Sequence, residues 1–206
     1  MTIVTREQAV NNLRQYIGQD LAELAESYGI TTFETGKQNK GWKGLVLERL
    51  AGLQASSSRA PNGQFYEVKS VSFYYVRGKL VPKETMAITM INPEELKTQS
   101  FFQSHCWNKL KSMVFCAAMW HGKNSVKAEL LQVTSLDFSS SEDIIKEIAA
   151  DYEFIRNKLK TEGFESLTGR DGKWIQARTK GPGHGSTSRA FYARKSLVSK
   201  IFELSS

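Results

Sequence analysis

The stretch Gln64-Phe65-Tyr66-Glu67-Val68-Lys69-Ser70 most restricts what this chain can fold into. Apolar or aromatic residues at 66, 68 and 71 alternate with Glu67 and Lys69, which is the period of a strand with two unlike faces. One face can enter a core, while the other presents Glu67 and Lys69, two residues apart, at a single spot. A carboxylate beside an ammonium suits metal-assisted phosphodiester hydrolysis. The carboxylate holds a divalent cation, and the lysine orients a water or stabilises the charge that develops on the phosphate. The same Glu-x-Lys pattern is also an ordinary charge pair of surface strands. Its chemistry therefore depends on the company it keeps.

A chain of 206 residues is long enough for one domain with a proper core, or for two lobes around a cleft. Hydrophobic residues make up 40% and charged ones 24%, the balance of a globular protein rather than a disordered one. No apolar run approaches the roughly 18 residues of a membrane span. The first residues, Met1 to Glu7, lack the basic-then-apolar pattern of a signal peptide. Cys106 and Cys116 match no metal-ligand spacing and read as reduced thiols of a cytoplasmic protein. His105, His121 and His184 are scattered, which argues against a zinc site. The formal charge is +7, and the basic residues concentrate between Lys158 and Lys200, whereas Glu142 to Glu153 is largely acidic. A basic half is the footprint of a polyanion partner. Nucleic acid ranks ahead of membrane, since no basic amphipathic helix with aromatic anchors stands out.

Arg6 to Ile17 and Asp20 to Tyr28 read as helices, the second capped by Asp20 and stopped at Gly29. A third runs from Gly41 to Gly52, with Gly41, Gly44, Glu48 and Gly52 along one side. Glycine costs a helix about 1 kcal/mol relative to alanine. Three of them beside one carboxylate predict either a close backbone approach at Glu48 or a tight helix–sheet contact with Glu48 at its rim. The Glu67/Lys69 strand continues through Tyr75 to a turn at Arg77-Gly78-Lys79, with a return strand from Thr85 to Ile91 and a short helix after Asn92. Met113 to Trp120 is an apolar run of buried-strand length, answered by Val126 to Val133. Ser139-Ser140-Ser141-Glu142 has capping-box character. The helix it opens shows Ile144, Ile148, Tyr152, Ile155 and Leu159 on one face and ends near Gly163. A short strand at Trp174 to Arg178, a basic Gly/Ser-rich loop at 180–189, Phe191-Tyr192-Ala193 and a helix from Ser196 to Leu204 close the chain. The class is α/β, a mixed sheet flanked by helices.

Glu48, the Pro61-Asn62 pair, Glu67 and Lys69, taken in order, resemble the signature of the PD-(D/E)xK nucleases: a helix glutamate, an acidic residue after a proline, then Glu-x-Lys on a strand. Further blocks are similar to the MutH-like family and its type II restriction relatives. They are Lys40-Gly41-Trp42-Lys43-Gly44 with Glu48, Arg77-Gly78-Lys79-Leu80, Asn108-Lys109-Leu110-Lys111, Gly172-Lys173-Trp174-Ile175-Gln176-Ala177-Arg178 and Phe191-Tyr192-Ala193-Arg194-Lys195. They occur in family order over nearly the whole chain.

The resemblance implies a restriction-endonuclease-like fold in a monomer of two lobes forming a DNA-binding cleft, one lobe at about 1–105 for catalysis and one at about 106–206 for reading bases. It implies a double-stranded DNA substrate, Mg²⁺ as cofactor, and cleavage to a 5′-phosphate and a 3′-hydroxyl. Position by position, Glu67 and residue 62 would hold magnesium, Lys69 would place the attacking water, and Glu48 would orient Lys69 or a water. Lys109 or Lys111 would reach the backbone near the scissile phosphate. Arg178, Lys180, His184, Tyr192, Arg194 and Lys195 would face DNA in the reading lobe. For Arg178 and Lys180, base readout and plain phosphate contact both stand.

One departure matters. Where the family has an aspartate after the proline, this chain has Asn62, and no aspartate occurs between Asp20 and Asp137. Magnesium prefers carboxylate and water oxygens, so a neutral amide there predicts impaired cleavage with DNA binding kept. The leading expectation is a sequence-specific type II restriction endonuclease with a cognate methyltransferase, favoured by the basic loop from Thr179 to Gly185. The alternatives are a mismatch-repair-type nicking endonuclease triggered by a repair partner, and a non-catalytic DNA-binding protein that kept the nuclease fold. An RNA-binding or structural protein has only the basic charge behind it.

Overall fold

A computed structural model describes residues 3–34, 37–39, 41–53, 65–123, 125–138, 142–181 and 187–204. Asn62 with its preceding proline, His184, and the serines of the expected capping box lie outside these residues.

The described elements in chain order are α1 (Arg6–Arg14), α2 (Leu21–Ser27), β1 (Phe33–Glu34), β2 (Lys37–Gln38), α3 (Trp42–Leu50), β3 (Glu67–Val76), β4 (Lys79–Pro82), β5 (Met86–Met90), α4 (Pro93–Thr98), α5 (His105–Leu110), β6 (Ser112–Met119), β7 (Leu130–Asp137), α6 (Glu142–Glu162), β8 (Ile175–Thr179), β9 (Arg189–Ala193) and α7 (Lys195–Glu203). The expected class holds: an α/β chain with a mixed sheet and flanking helices. Among the described residues no helix is long and apolar enough to cross a membrane.

The chain packs as two compact units that interleave in sequence. Residues 1–84, 113–136 and 202–206 form the first; 85–112 and 137–201 form the second. The chain passes between the units four times, after residues 84, 112, 136 and 201. Segment 85–112 carries β5 into a different sheet from β3, and Met113–Leu136 returns with β6 and most of β7.

The first unit is built on a four-stranded mixed sheet of order β4-β3-β6-β7. β3 and β6 run parallel, with Glu67 opposite Met113 and Lys69 opposite Phe115. β4 turns back antiparallel along Phe73 to Val76, through Arg77 and Gly78, both with positive φ. Alternation along β3 sends Val68 into a core shared with Trp42, Val46 and Leu47 of α3, Leu13 of α1, Val114 and Cys116 of β6, and Leu130 of β7. Each such side chain, fully buried, contributes on the order of 2 kcal/mol. The helix starts are those the sequence implies. The Thr5 hydroxyl accepts from Gln8 N while Gln8 returns a bond to Thr5 N, a capping box on α1. The Asp20 carboxylate accepts from Ala22 N on α2 and from Ala128 N, 108 residues on.

Two expectations are corrected here. The strand after Lys83 does not pair with β3; β5 joins β9, so the hairpin partner of β3 is the four-residue β4. Proline at 82 and glutamate at 84 break the continuity that a single return strand would need. Nor, among the described residues, does backbone approach the glycine side of α3. A side chain at Gly44 would meet nothing within 4 Å, one at Gly41 would meet only the Asn39 side chain, and Gly52 adopts φ +85 just past the helix end, where left-handed backbone favours glycine.

The second unit holds a three-stranded antiparallel sheet of order β5-β9-β8, with Ile175 opposite Ala193 and Gln176 opposite Tyr192. Its core forms against α6, where Ile148, Tyr152, Ile155 and Leu159 are buried and Tyr152 stacks on Phe191 at 5.3 Å. The loop before β8 is fastened by Asp151, whose carboxylate accepts from the backbone N–H of Lys173 (2.8 Å), Trp174 (2.5 Å) and Ile175 (2.9 Å).

Candidate active site

Glu67 and Lys69 open β3. Their side chains share one face because strand alternation puts residues two apart on the same side. The Lys69 ammonium donates to Glu67 Oε1 at 2.9 Å, and the side chains are 15% and 6% exposed. That burial distinguishes them from a solvated surface pair. A carboxylate taken out of water is stable only when paired and hydrogen-bonded. Ahead of them, the Tyr66 hydroxyl donates to Val4 O at 3.1 Å; behind them, Val71 and Phe73 are buried. The pair is thus held at a strand end that is anchored on both sides. Glu48 lies half-buried on α3 within the same unit.

Sequence reasoning passed over Lys43. It sits one residue after the buried Trp42, and its ammonium donates to Ser72 Oγ at 2.5 Å. Burial pulls its pKa below the ordinary lysine value, opposed by the charge of Glu84 and reinforced by that of Lys83. The available signal was a lysine placed where α3 turns towards the sheet.

The other expected residues fall in the second unit. Lys109 lies in the last turn of α5 and Lys111 follows the helix, both half-buried, with Lys111 O accepting from Phe138 N at 2.8 Å. Arg178 and Lys180 are exposed at the end of β8, and Lys195 is exposed at the start of α7. The Arg178 guanidinium lies 5.2 Å from the centre of the half-buried Tyr192 ring, so these two form one cation–π couple. Arg194 is differently engaged. Its guanidinium donates to the carbonyls of Gly172 (2.9 Å), Gly169 (2.9 Å) and Asp171 (3.2 Å), which closes the loop before β8.

As a metal site, the described donors are incomplete. No three His, Cys, Asp or Glu side chains converge among the described residues. Glu67 offers one carboxylate, with Oε1 already accepting from Lys69. An oxygen-preferring divalent cation fits beside Glu67 only with further oxygen ligands.

The sequence model of the MutH family, described as DNA mismatch repair enzyme MutH, matches residues 55–147. That span contains positions 62, 67, 69, 109 and 111. The chain is 28% identical over 193 residues to the DNA mismatch repair protein MutH of Escherichia coli O17:K52:H18, covering 92% of this chain and 82% of the relative. The proteins of the same name from E. coli O1:K1 and E. coli K12 are 28% identical over 195 residues, with the same coverage.

Proposed function

We propose that this MutH-like chain is a Mg²⁺-dependent DNA endonuclease that hydrolyses phosphodiesters at the Glu67–Lys69 pair, leaving a 5′-phosphate and a 3′-hydroxyl. The buried ion pair at the start of β3 is the observation that supports this most. Glu67 would hold the cation together with Asn62. A bound divalent cation supplies charge neutralisation at the phosphate and a water acidic enough to attack it. Lys69, fixed by its bond to Glu67, donates to the attacking water or to a phosphate oxygen. Glu48 orients this group from α3. Because Asn62 brings no charge, metal affinity falls and cleavage is slow, while DNA binding persists.

Lys109 and Lys111 serve the DNA backbone as point charges. Arg178 with Tyr192, and Lys180, serve the bases or phosphates of the bound duplex. Arg194 shapes the reading loop through its Nε and Nη2 donors, which bond the carbonyls of residues 169, 171 and 172, and its Nη1 remains for a phosphate. We place the chain as a monomer on DNA.

Between nicking and restriction, the nicking type is the reading we favour, because each relative named above is a mismatch repair protein. It calls for a repair partner that stimulates a slower cleavage by the chain alone. The restriction reading rests on the basic loop from Thr179 to Gly185 and requires no partner. Incubation with supercoiled plasmid in Mg²⁺ separates them: open circles that accumulate without linear product support nicking, and linear product at the outset supports restriction. If Glu67→Gln cuts as fast as the unaltered chain, the site is elsewhere.

A further inference from the structure

The first unit contains a cavity that the proposed cleavage chemistry does not use. It measures about 360 Å³ and is lined by Lys43, Lys83, Lys123, Lys127, Glu84 and Trp120 among others. Lys43 comes from the first turn of α3, Lys83 and Glu84 follow β4, Trp120 follows β6, and Lys123 and Lys127 come from the segment leading to β7. It opens on the sheet face opposite Glu67 and Lys69. Lys43 bonds Ser72, and Tyr74 packs its ring edge-on to Trp120 at 5.8 Å. Even-numbered residues of β3 face one way and 67 and 69 the other.

Four lysines and one glutamate line this cavity, and none of the four lysines forms an ion pair among the described residues. Like charges gathered in a concavity raise the local concentration of an anion. Lysines are point-charge binders of phosphate, while recognition of a planar base needs a free ring face. The Lys83 ammonium already lies 4.8 Å from the centre of the Trp120 ring, so charge dominates over stacking. The volume is at the lower end of small-ligand sites, about 300–1,000 Å³, and too small for a duplex.

We infer that this cavity is a second anion site, which takes a small phosphorylated anion of two or more charges, such as a diphosphate group. The depressed pKa of Lys43 agrees with it. Burial disfavours its charge, Glu84 partly restores it, and Lys83 opposes it; a bound dianion supplies the missing counter-charge.

The test is calorimetric titration of the intact protein with sodium diphosphate and, separately, with a nucleoside diphosphate, both without divalent metal. The double variant Lys83→Gln/Lys127→Gln and its conservative counterpart Lys83→Arg/Lys127→Arg are run alongside. Saturable binding at about one to one is expected, with a Kd below about 1 mM. The Gln variant should lose about tenfold or more in affinity, the Arg variant should keep it, and duplex DNA affinity at fixed salt should stay within about twofold in both. Equal affinity for both ligands assigns the phosphates alone, and tighter nucleoside diphosphate binding adds a contact to the nucleoside. No saturation, or undiminished binding by the Gln variant, overturns the site. Loss of diphosphate and DNA binding together also overturns it, since the anion would then be reporting the DNA surface.

Discussion

The Lys69 ammonium lies 2.9 Å from Glu67 Oε1, and both side chains are largely removed from water. Removing either partner has different consequences. Lys69→Met leaves a buried carboxylate without its cation, which costs on the order of 3 kcal/mol. Glu67→Gln leaves a lysine that can still reach solvent and costs less. Urea denaturation should show this asymmetry, while both variants lose plasmid cleavage and keep duplex binding. Similar denaturation midpoints for the two would mean that the pair is not insulated from solvent.

Arg178 and Arg194 are only about one strand apart but do different work. Arg178 is exposed over Tyr192, whereas Arg194 ties three carbonyls. Arg178→Ala should weaken duplex binding and flatten its salt dependence by about one phosphate contact, with thermal stability unchanged. Arg194→Ala should lower stability by about 2 kcal/mol and affect DNA through the loop. Fluorescence anisotropy across a salt series, beside thermal melts, checks both.

Asp151 accepts three backbone N–H bonds from residues 173–175. Asp151→Ala orphans those donors at about 1–3 kcal/mol for the most buried of them. The neighbouring Gly172 has φ +79, and a side chain there would meet Ile175 O at 2.0 Å. Gly172→Ala should therefore destabilise the second unit too, read by hydrogen exchange in β8.

Alkaline pH should destabilise the fold. Burial pushes the Cys116 thiol from its ordinary 9.0 up to about 12, raises Cys106 as well, and lifts Tyr152 from 10.0 to about 12. A raised folded-state pKa favours the folded form fully below the unfolded value, and that contribution is lost between about pH 9 and 12 as the unfolded chain ionises. Lys43, shifted downward, works in the opposite sense and only offsets part of the loss. Stability from chemical denaturation should fall from pH 9 upward, less steeply in Cys106→Ala/Cys116→Ala. The native thiols should resist alkylation at pH 8.

Much of the first unit was legible because local and long-range signals agree there. Asp20 caps α2 and Gly29, with φ +65, ends it. In the second unit, the apolar face of α6 likewise appears as the buried row Ile148, Tyr152, Ile155 and Leu159. Glu67 and Lys69 emerge as a pair because a period of two leaves no other geometry. The pairing of β5 was not legible. Its partner β9 lies about 100 residues downstream, and alternation specifies a face, not a neighbour. The helix α5 was missed although Ser104 caps it by accepting from Trp107 N, since six residues give no readable period. The role of Arg194 was equally hidden: its side chain is spent on carbonyls that nothing in the sequence marks. The lysine cavity was invisible for a similar reason, its walls coming from three separated segments.

The central claim is a phosphodiester-cleaving site at Glu67 and Lys69, weakened by a neutral residue at 62. Supercoiled mixed-sequence plasmid cut in Mg²⁺ by the unaltered chain and by Asn62→Asp tests it most directly. The account predicts that Asn62→Asp cuts faster by about tenfold or more, at discrete sites, with Glu67→Gln abolishing the gain. Equal rates for the two proteins, or cleavage by Asn62→Asp that survives Glu67→Gln, would contradict it.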